Sequence, residues 1–209
     1  MDRELPLIVF GRESSDNTCK VLWCLAELEI EYELHRTELD SAHLNGFVLQ
    51  HNPDRSVPLL KHGDFYLAES NTIIRYLSAI SRSNLLLPFE PKSRSQCERW
   101  MDWQICRLEQ PIFKLHQYFV RNNTTLKLAD VEYALEQVSQ ALTVLDRQLS
   151  FHSWIGGNTF SVADICCGVV AYRWFSYPVV RSELPHLNRW YSQLLSRDAF
   201  RSHVMFPLQ

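Results

Sequence analysis

Apolar residues recur along this chain in two different rhythms. Up to about residue 87, strand-like and helix-like runs alternate. The run "LPLIVFG" is continuously apolar, ends at Gly11, and reads as a buried strand. In "CKVLWCLAELEIE", Val21, Leu22, Leu25 and Leu28 return at helical spacing. "IEYELHRTEL" alternates through Ile30, Tyr32 and Leu34, which suits a second strand. "VPLLKHGDFYLAE" sets two short apolar runs around "HGD" and predicts a hairpin. In "SNTIIRYLSAI", Ile73, Ile74, Leu77 and Ile80 share one helical face. The predicted order is β-α-β, a variable segment, then β-β-α.

Beyond the connector "LLLPFEPKSRS" the rhythm becomes helical throughout. Four long patterns follow. The first, "SQCERWMDWQICRLEQPIFKLHQYFVR", should bend near Pro111, because proline removes a backbone donor and crowds the preceding turn. The others are "LADVEYALEQVSQALTVLDRQLS", "SVADICCGVVAYRWFSY" and "LPHLNRWYSQLLSR". An α/β unit over residues 1–87 and an all-α unit over 93–209 is therefore expected, meeting along one interface. Ser161 and Asp164 have the S-x-x-D spacing of a capping box, which makes Asp164 a buried structural acid.

Composition narrows the function. With 46% hydrophobic and 22% charged residues, the chain is an ordinary globular protein. A formal net charge of −3 and the absence of cationic clusters argue against a nucleic-acid partner. The N-terminus lacks a signal-peptide pattern and no run is long enough to span a membrane, so a cytoplasmic protein is expected. Six cysteines, at 19, 24, 97, 106, 166 and 167, show no metal-ligand spacing and read as reduced thiols. No metal site is expected. Cys24, Cys106, Cys166 and Cys167 read as core residues on helical faces.

Four motifs, "SSDNTCKVLWCLAELEIEYE", "NPDRSVPLL", "LAESNTIIRYL" and "FSVADICCG", resemble those of the cytosolic glutathione transferases, bacterial members in particular. The tail "LPHLNRWYSQLLSRDAFRSHV" fits too, so the resemblance covers nearly the whole chain. It implies a thioredoxin-like N-terminal domain that binds glutathione. It also implies a helical C-terminal domain lining the acceptor pocket, and a homodimer. Glutathione would be a co-substrate, with no further cofactor, and detoxification of a small hydrophobic electrophile would be the task. The rival readings are a glutathione-dependent disulfide or peroxide reductase on the same site, and a non-catalytic binding protein of the same fold.

The resemblance also implies roles for particular residues. Pro58 would follow a cis peptide bond and turn the backbone of Val57 outward, to pair with glutathione as an added strand. Glu69 would hold the γ-glutamyl ammonium, and Ser70, at a helix start, its carboxylate. Ser70 acting as a plain N-cap is compatible with both. Relatives carry a lysine where this chain has Ser56; Arg55, Arg12 or His43 would have to replace it.

The reaction needs a thiolate, and a free thiol ionises only near pH ~8.5. The loop "SSDN" offers hydroxyl and amide donors at a helix start. Ser15 is assigned as thiolate donor and Asn17 as second donor, with Ser14 the near alternative. Cys19 is set aside as the reactive thiol. A C-x-x-C partner would stand at position 16, which is Asp16, and that charge opposes thiolate formation. Trp103, Arg107, Phe113, His116, Tyr118, Trp174 and Phe175 are candidates for the acceptor wall, although aromatics at helical spacing are more often core.

Overall fold

The structure is a computed structural model that describes residues 6–37, 42–54 and 56–208, with only the backbone course given for 42–45. The N-terminal half runs β1 (Leu7–Gly11), α1 (Asp16–Glu27), β2 (Tyr32–Arg36), α2 (Ala42–His51), β3 (Leu59–His62), β4 (Phe65–Leu67) and α3 (Ser70–Ile80). The four strands lie in the order β2-β1-β3-β4. β1 is parallel to β2 and antiparallel to β3, and β3 turns into antiparallel β4. Gly63, at φ 60°, takes the left-handed position of that turn, which a glycine adopts without steric cost.

The period-2 alternation of β1 divides its side chains between two faces. Leu7 and Val9 join the large core that also holds α1 and α3. Phe10 joins a smaller cluster with Val48 of α2 and Leu59 of β3. The sheet is thereby covered on both sides. Helix α2 fills the variable segment, where the hydrophobic pattern predicted no element.

The helical half comprises α4 (Pro91–Gln104), a π-helical segment (Ile105–Glu109), α5 (Gln110–Phe119), α6 (Leu128–Phe151), α7 (Val162–Ser176), α8 (Pro185–Leu195) and α9 (Asp198–His203). Short α9 was not expected. Glu90 caps α4 by accepting from the amides of Lys92 and Ser93 at 2.9 and 2.7 Å. The bend expected near Pro111 takes the form of the π segment. The ring of Pro111 would crowd the carbonyl four residues back, at Arg107, inside that segment. One more residue in the turn relieves the clash.

One cysteine departs from expectation. Cys106 is exposed, not a core residue, whereas Cys24, Cys166 and Cys167 are buried as expected. Among the described residues, no helix is long and apolar enough to cross a membrane.

The two halves share one core, in which Trp23 of α1 is fully buried. Its ring lies where a side chain on Gly168 of α7 would be: a Cβ there would come within 2.9 Å of Trp23 and of Leu194. Asp164 is buried as expected. It accepts from the amides of Ile155 (2.8 Å) and Ser161 (3.0 Å), the Ser161 hydroxyl and the Trp190 indole (2.8 Å). Ser161 and Asp164 do form the capping box of α7. Burial nevertheless outweighs these donors and pushes the carboxyl up to about 6.

Candidate active site

Three chain segments converge beyond the C-terminal end of β1. The first is the loop that leads from Gly11 into α1. A Cβ on Gly11 would stand 2.6 Å from the hydroxyl of Thr18, so the bare glycine lets the first turn of α1 close onto the strand end. Ser15 is the N-cap of α1, with extended backbone (φ −94°, ψ 120°). Its Oγ accepts from the Thr18 amide at 3.4 Å, which commits the oxygen and leaves the hydroxyl hydrogen to donate elsewhere. The capping and donor readings of Ser15 are thus compatible.

The second segment is the start of α3. Ser70 is buried, and its hydroxyl donates to Oδ1 of Asn17 at 3.0 Å. That bond joins two site residues 53 positions apart and leaves the NH₂ of Asn17 as its donating end. Glu69, exposed, has φ 70° and ψ 106°. A non-glycine residue there carries about 1–3 kcal/mol of strain, of the kind that clusters at functional sites. No side-chain cap closes the end of α3, so its first amides stay available to an anion.

The third segment leads into β3. The Val57–Pro58 peptide is cis, as the resemblance implied. Pro58 immediately precedes Leu59, which pairs with Phe10 of β1, so the turn lies beside the Ser14–Asn17 loop. Asn52 braces it: its amide donates to the Ser56 carbonyl at 2.9 Å and meets the Ser56 hydroxyl at 3.1 Å. Of the cations considered in place of a lysine at Ser56, Arg12 is half-buried in the loop after β1. Arg55 and the side chain of His43 lie outside the described residues.

Cys19 does not belong to this cluster as a nucleophile. It is 3% exposed and its thiol donates to the Glu13 carbonyl at 3.1 Å. Burial first, then the charge of Asp16, push it up to about 12. Close by, the Arg36 guanidinium at 2.8 Å holds Glu13 below the usual carboxylate range.

The helical half reaches the same loop through Arg173 of α7, which the sequence reading did not single out. Its Nε donates to Asp16 at 2.6 Å and its Nη2 to the Ser14 carbonyl at 3.2 Å. Its Nη1 lies 3.3 Å from Nδ1 of His116. His116, a candidate for the acceptor wall, is therefore near the loop. Trp103 instead packs edge-on against Trp100, and Phe175 stacks on Tyr191 with centroids 4.1 Å apart. Trp174 lines two cavities, of about 300 and 560 Å³, whose walls include no residue of the Ser14–Asn17 loop. Phe113 is exposed.

Comparison with known proteins agrees with this geometry. Residues 5–79 match the family model described as glutathione S-transferase, N-terminal domain, and residues 108–192 match the corresponding C-terminal domain. Glutathione S-transferase GstB of Escherichia coli is 34% identical over 207 residues, covering 97% of this chain and 99% of that protein. The chain belongs to the glutathione S-transferase family. Disulfide-bond oxidoreductase YfcG of E. coli is a more distant relative, 25% identical over 88% of this chain and 87% of its own. Among solved structures, the theta class glutathione S-transferase of Xanthomonas axonopodis pv. citri with glutathione bound superposes with a TM-score of 0.89. It is 32% identical, over 98% of this chain and all of that one.

Proposed function

We propose that this glutathione transferase holds glutathione across the three converging segments and adds its sulfur, as thiolate, to a small apolar electrophile. Residues 1–87 form the glutathione-binding unit in this reading, and residues 93–209 wall the acceptor. The backbone of Val57, aimed by cis Pro58, pairs with the cysteinyl part of the tripeptide. Glu69 takes the γ-glutamyl ammonium, and the backbone amide of Ser70 with the rest of the uncapped start of α3 takes the carboxylate, the Ser70 hydroxyl being committed to Asn17. The Ser15 hydroxyl and the Asn17 amide donate to the sulfur, with Ser14 beside them.

The observation that carries this reading is the bond from Ser70 to Asn17. It ties the segment suited to the glutamyl end to the segment suited to the sulfur, and it fixes which end of the Asn17 amide donates. Rate acceleration comes from stabilising the anion and from holding it against the electrophile. No residue forms a covalent intermediate, in keeping with the inert environment of Cys19.

Two measurements on the unmodified protein test the reading. Calorimetry should show glutathione binding. An ultraviolet absorbance titration of the bound tripeptide should show its thiol ionising about two units below the free value. A bound thiol that titrates like free glutathione refutes the transferase chemistry and leaves a binding protein. A reductase on the same site is favoured instead if turnover appears with a small disulfide and none with an activated aryl halide. Because Cys19 is sealed off, that reduction would run through glutathione's own sulfur.

A further inference from the structure

We propose that Arg173 is a positioning residue that sets the acidity of the bound thiol by neutralising Asp16 and fixing the Ser14 carbonyl. The inference rests on the thiolate site proposed above. The sequence places an acid, Asp16, immediately after Ser15, in the first turn of α1. A carboxylate there favours the helix, because it complements the positive end of the dipole. It also opposes a second anion at the same place, and the thiolate is that anion. Left alone, Asp16 would cancel much of what the helix start and the Ser15 and Asn17 donors supply.

Arg173 removes the conflict. It stands toward the end of the largely buried run "CCGVVAYRWF" of α7 and is only 7% exposed, a setting in which an unpaired charge would be strongly unfavourable. Its Nε and Nη2 both lie 2.6 Å from one Asp16 oxygen, and Nη2 also donates to the Ser14 carbonyl at 3.2 Å. The pair is close to neutral, so the loop keeps its capping acid without presenting a net negative charge. Cys19, in the same turn, feels the two residues with opposite signs: Asp16 pushes its thiol up and Arg173 pulls it down.

The other titratable groups around the pair leave this assignment standing. Glu13 is paired with Arg36 and also feels His203 of the C-terminal helix. Tyr177, beyond α7, is pushed up by burial and stays neutral, as does Cys19. His116 of α5 meets Arg173 through Nδ1, and since a guanidinium only donates, that nitrogen presents its lone pair. Glu69 is exposed at the start of α3.

The test is the absorbance titration of glutathione bound to the full-length protein, run on four variants with thermal unfolding measured on each. Arg173→Gln should raise the bound thiol's pKa by about one unit, a tenfold loss of thiolate at neutral pH. Arg173→Lys should keep most of the effect, because it keeps the charge and loses only the fork. Asp16→Asn should lower the thiol's pKa, and Asp16→Asn combined with Arg173→Gln should bring it back to within about threefold of the parent in thiolate fraction. A merely structural arginine would change unfolding temperature and not this pattern.

An unchanged titration in Arg173→Gln overturns the proposal. Should that variant fail to fold, Asp16→Asn decides alone, and a thiol pKa that stays or rises there overturns it too. Failure of the underlying transferase reading is distinct, because it shows in the unmodified protein as a bound thiol no more acidic than the free one.

Discussion

Ser15→Ala separates the capping role of the residue from its chemical one. The two contributions differ in size and in readout. The cap bond, from the Thr18 amide to Oγ, is long at 3.4 Å, so removing it should cost about 0.5–1 kcal/mol of stability, the low end for N-caps. That lowers the unfolding temperature by only a few degrees in a chain of this size. The hydroxyl's proposed function is a hydrogen bond to a charged sulfur, which contributes about 1.5–3 kcal/mol. Lost from the ionised form alone, it raises the bound thiol's pKa by roughly one to two units and cuts neutral-pH thiolate by ~10- to 100-fold. The pH profile of kcat/KM for an activated aryl halide should move to higher pH by the same amount. Glutathione affinity should change little, because Val57, Glu69 and Ser70 are untouched. A profile that stays in place refutes the assignment of Ser15. If Ser14→Ala then moves it, the donor is the neighbouring hydroxyl; if neither does, the amide of Asn17 carries the sulfur.

Two further outcomes follow from buried groups. Cys19→Ala should leave turnover within about twofold of the parent, since the thiol is held protonated and sealed behind the Glu13 carbonyl; a loss of tenfold or more, measured under reducing conditions, would return Cys19 to the mechanism. Asp164→Asn should destabilise the fold by about 2–4 kcal/mol in denaturant unfolding, because the new NH₂ faces amide and indole donors. The size of that penalty should depend on pH. The Asp164 carboxyl is raised to about 6 in the fold, above its unfolded value, so its contribution is full below the unfolded pKa and is lost as pH rises through about 6. Parent and Asp164→Asn should therefore diverge by a further ~1–3 kcal/mol on going from about pH 7 to about pH 4.5. A gap that is constant or that narrows in acid would show that the four donors, not burial, dominate that carboxyl.

How far the sequence could be read depended on whether a signal was local. The strands β1, β3 and β4 announce themselves by short apolar runs with turn signals, β2, α1 and α3 by their periods, and the capping box of α7 is complete within four residues. Helix α2 carries a weak apolar rhythm interrupted by Gly46, and α9 has six residues, fewer than two turns, too short to show a period. Cys106 was misplaced for a geometric reason. The buried positions Cys97, Trp100, Met101, Gln104 and Leu108 form one stripe at helical spacing, and Cys106 falls off that stripe on the solvent side. The cis turn at Pro58 and the roles proposed for Glu69 and Ser70 come from resemblance, since nothing in a lone valine–proline pair distinguishes cis from trans.

Arg173 shows where local reading ends. A single arginine inside "CCGVVAYRWF" is itself a signal: a charge in an otherwise apolar stretch must have a buried partner. What the sequence withholds is the identity of that partner, which lies 157 positions away in the first turn of α1. The same long-range closure makes Asn17 an acceptor for Ser70, while Asn52 braces Ser56 across only four residues. Each side chain alone is an unremarkable polar residue of a turn or helix start. The fold brings the ends of β1, α3 and the cis turn together, and α7 delivers Arg173 to that meeting point, where it pairs with Asp16 at the start of α1. In the proposed reading the chemistry is therefore a property of the junction between the two halves. Substitutions that loosen the packing of α7 on α1, such as a side chain at Gly168 against Trp23, should register at the sulfur before they register as unfolding.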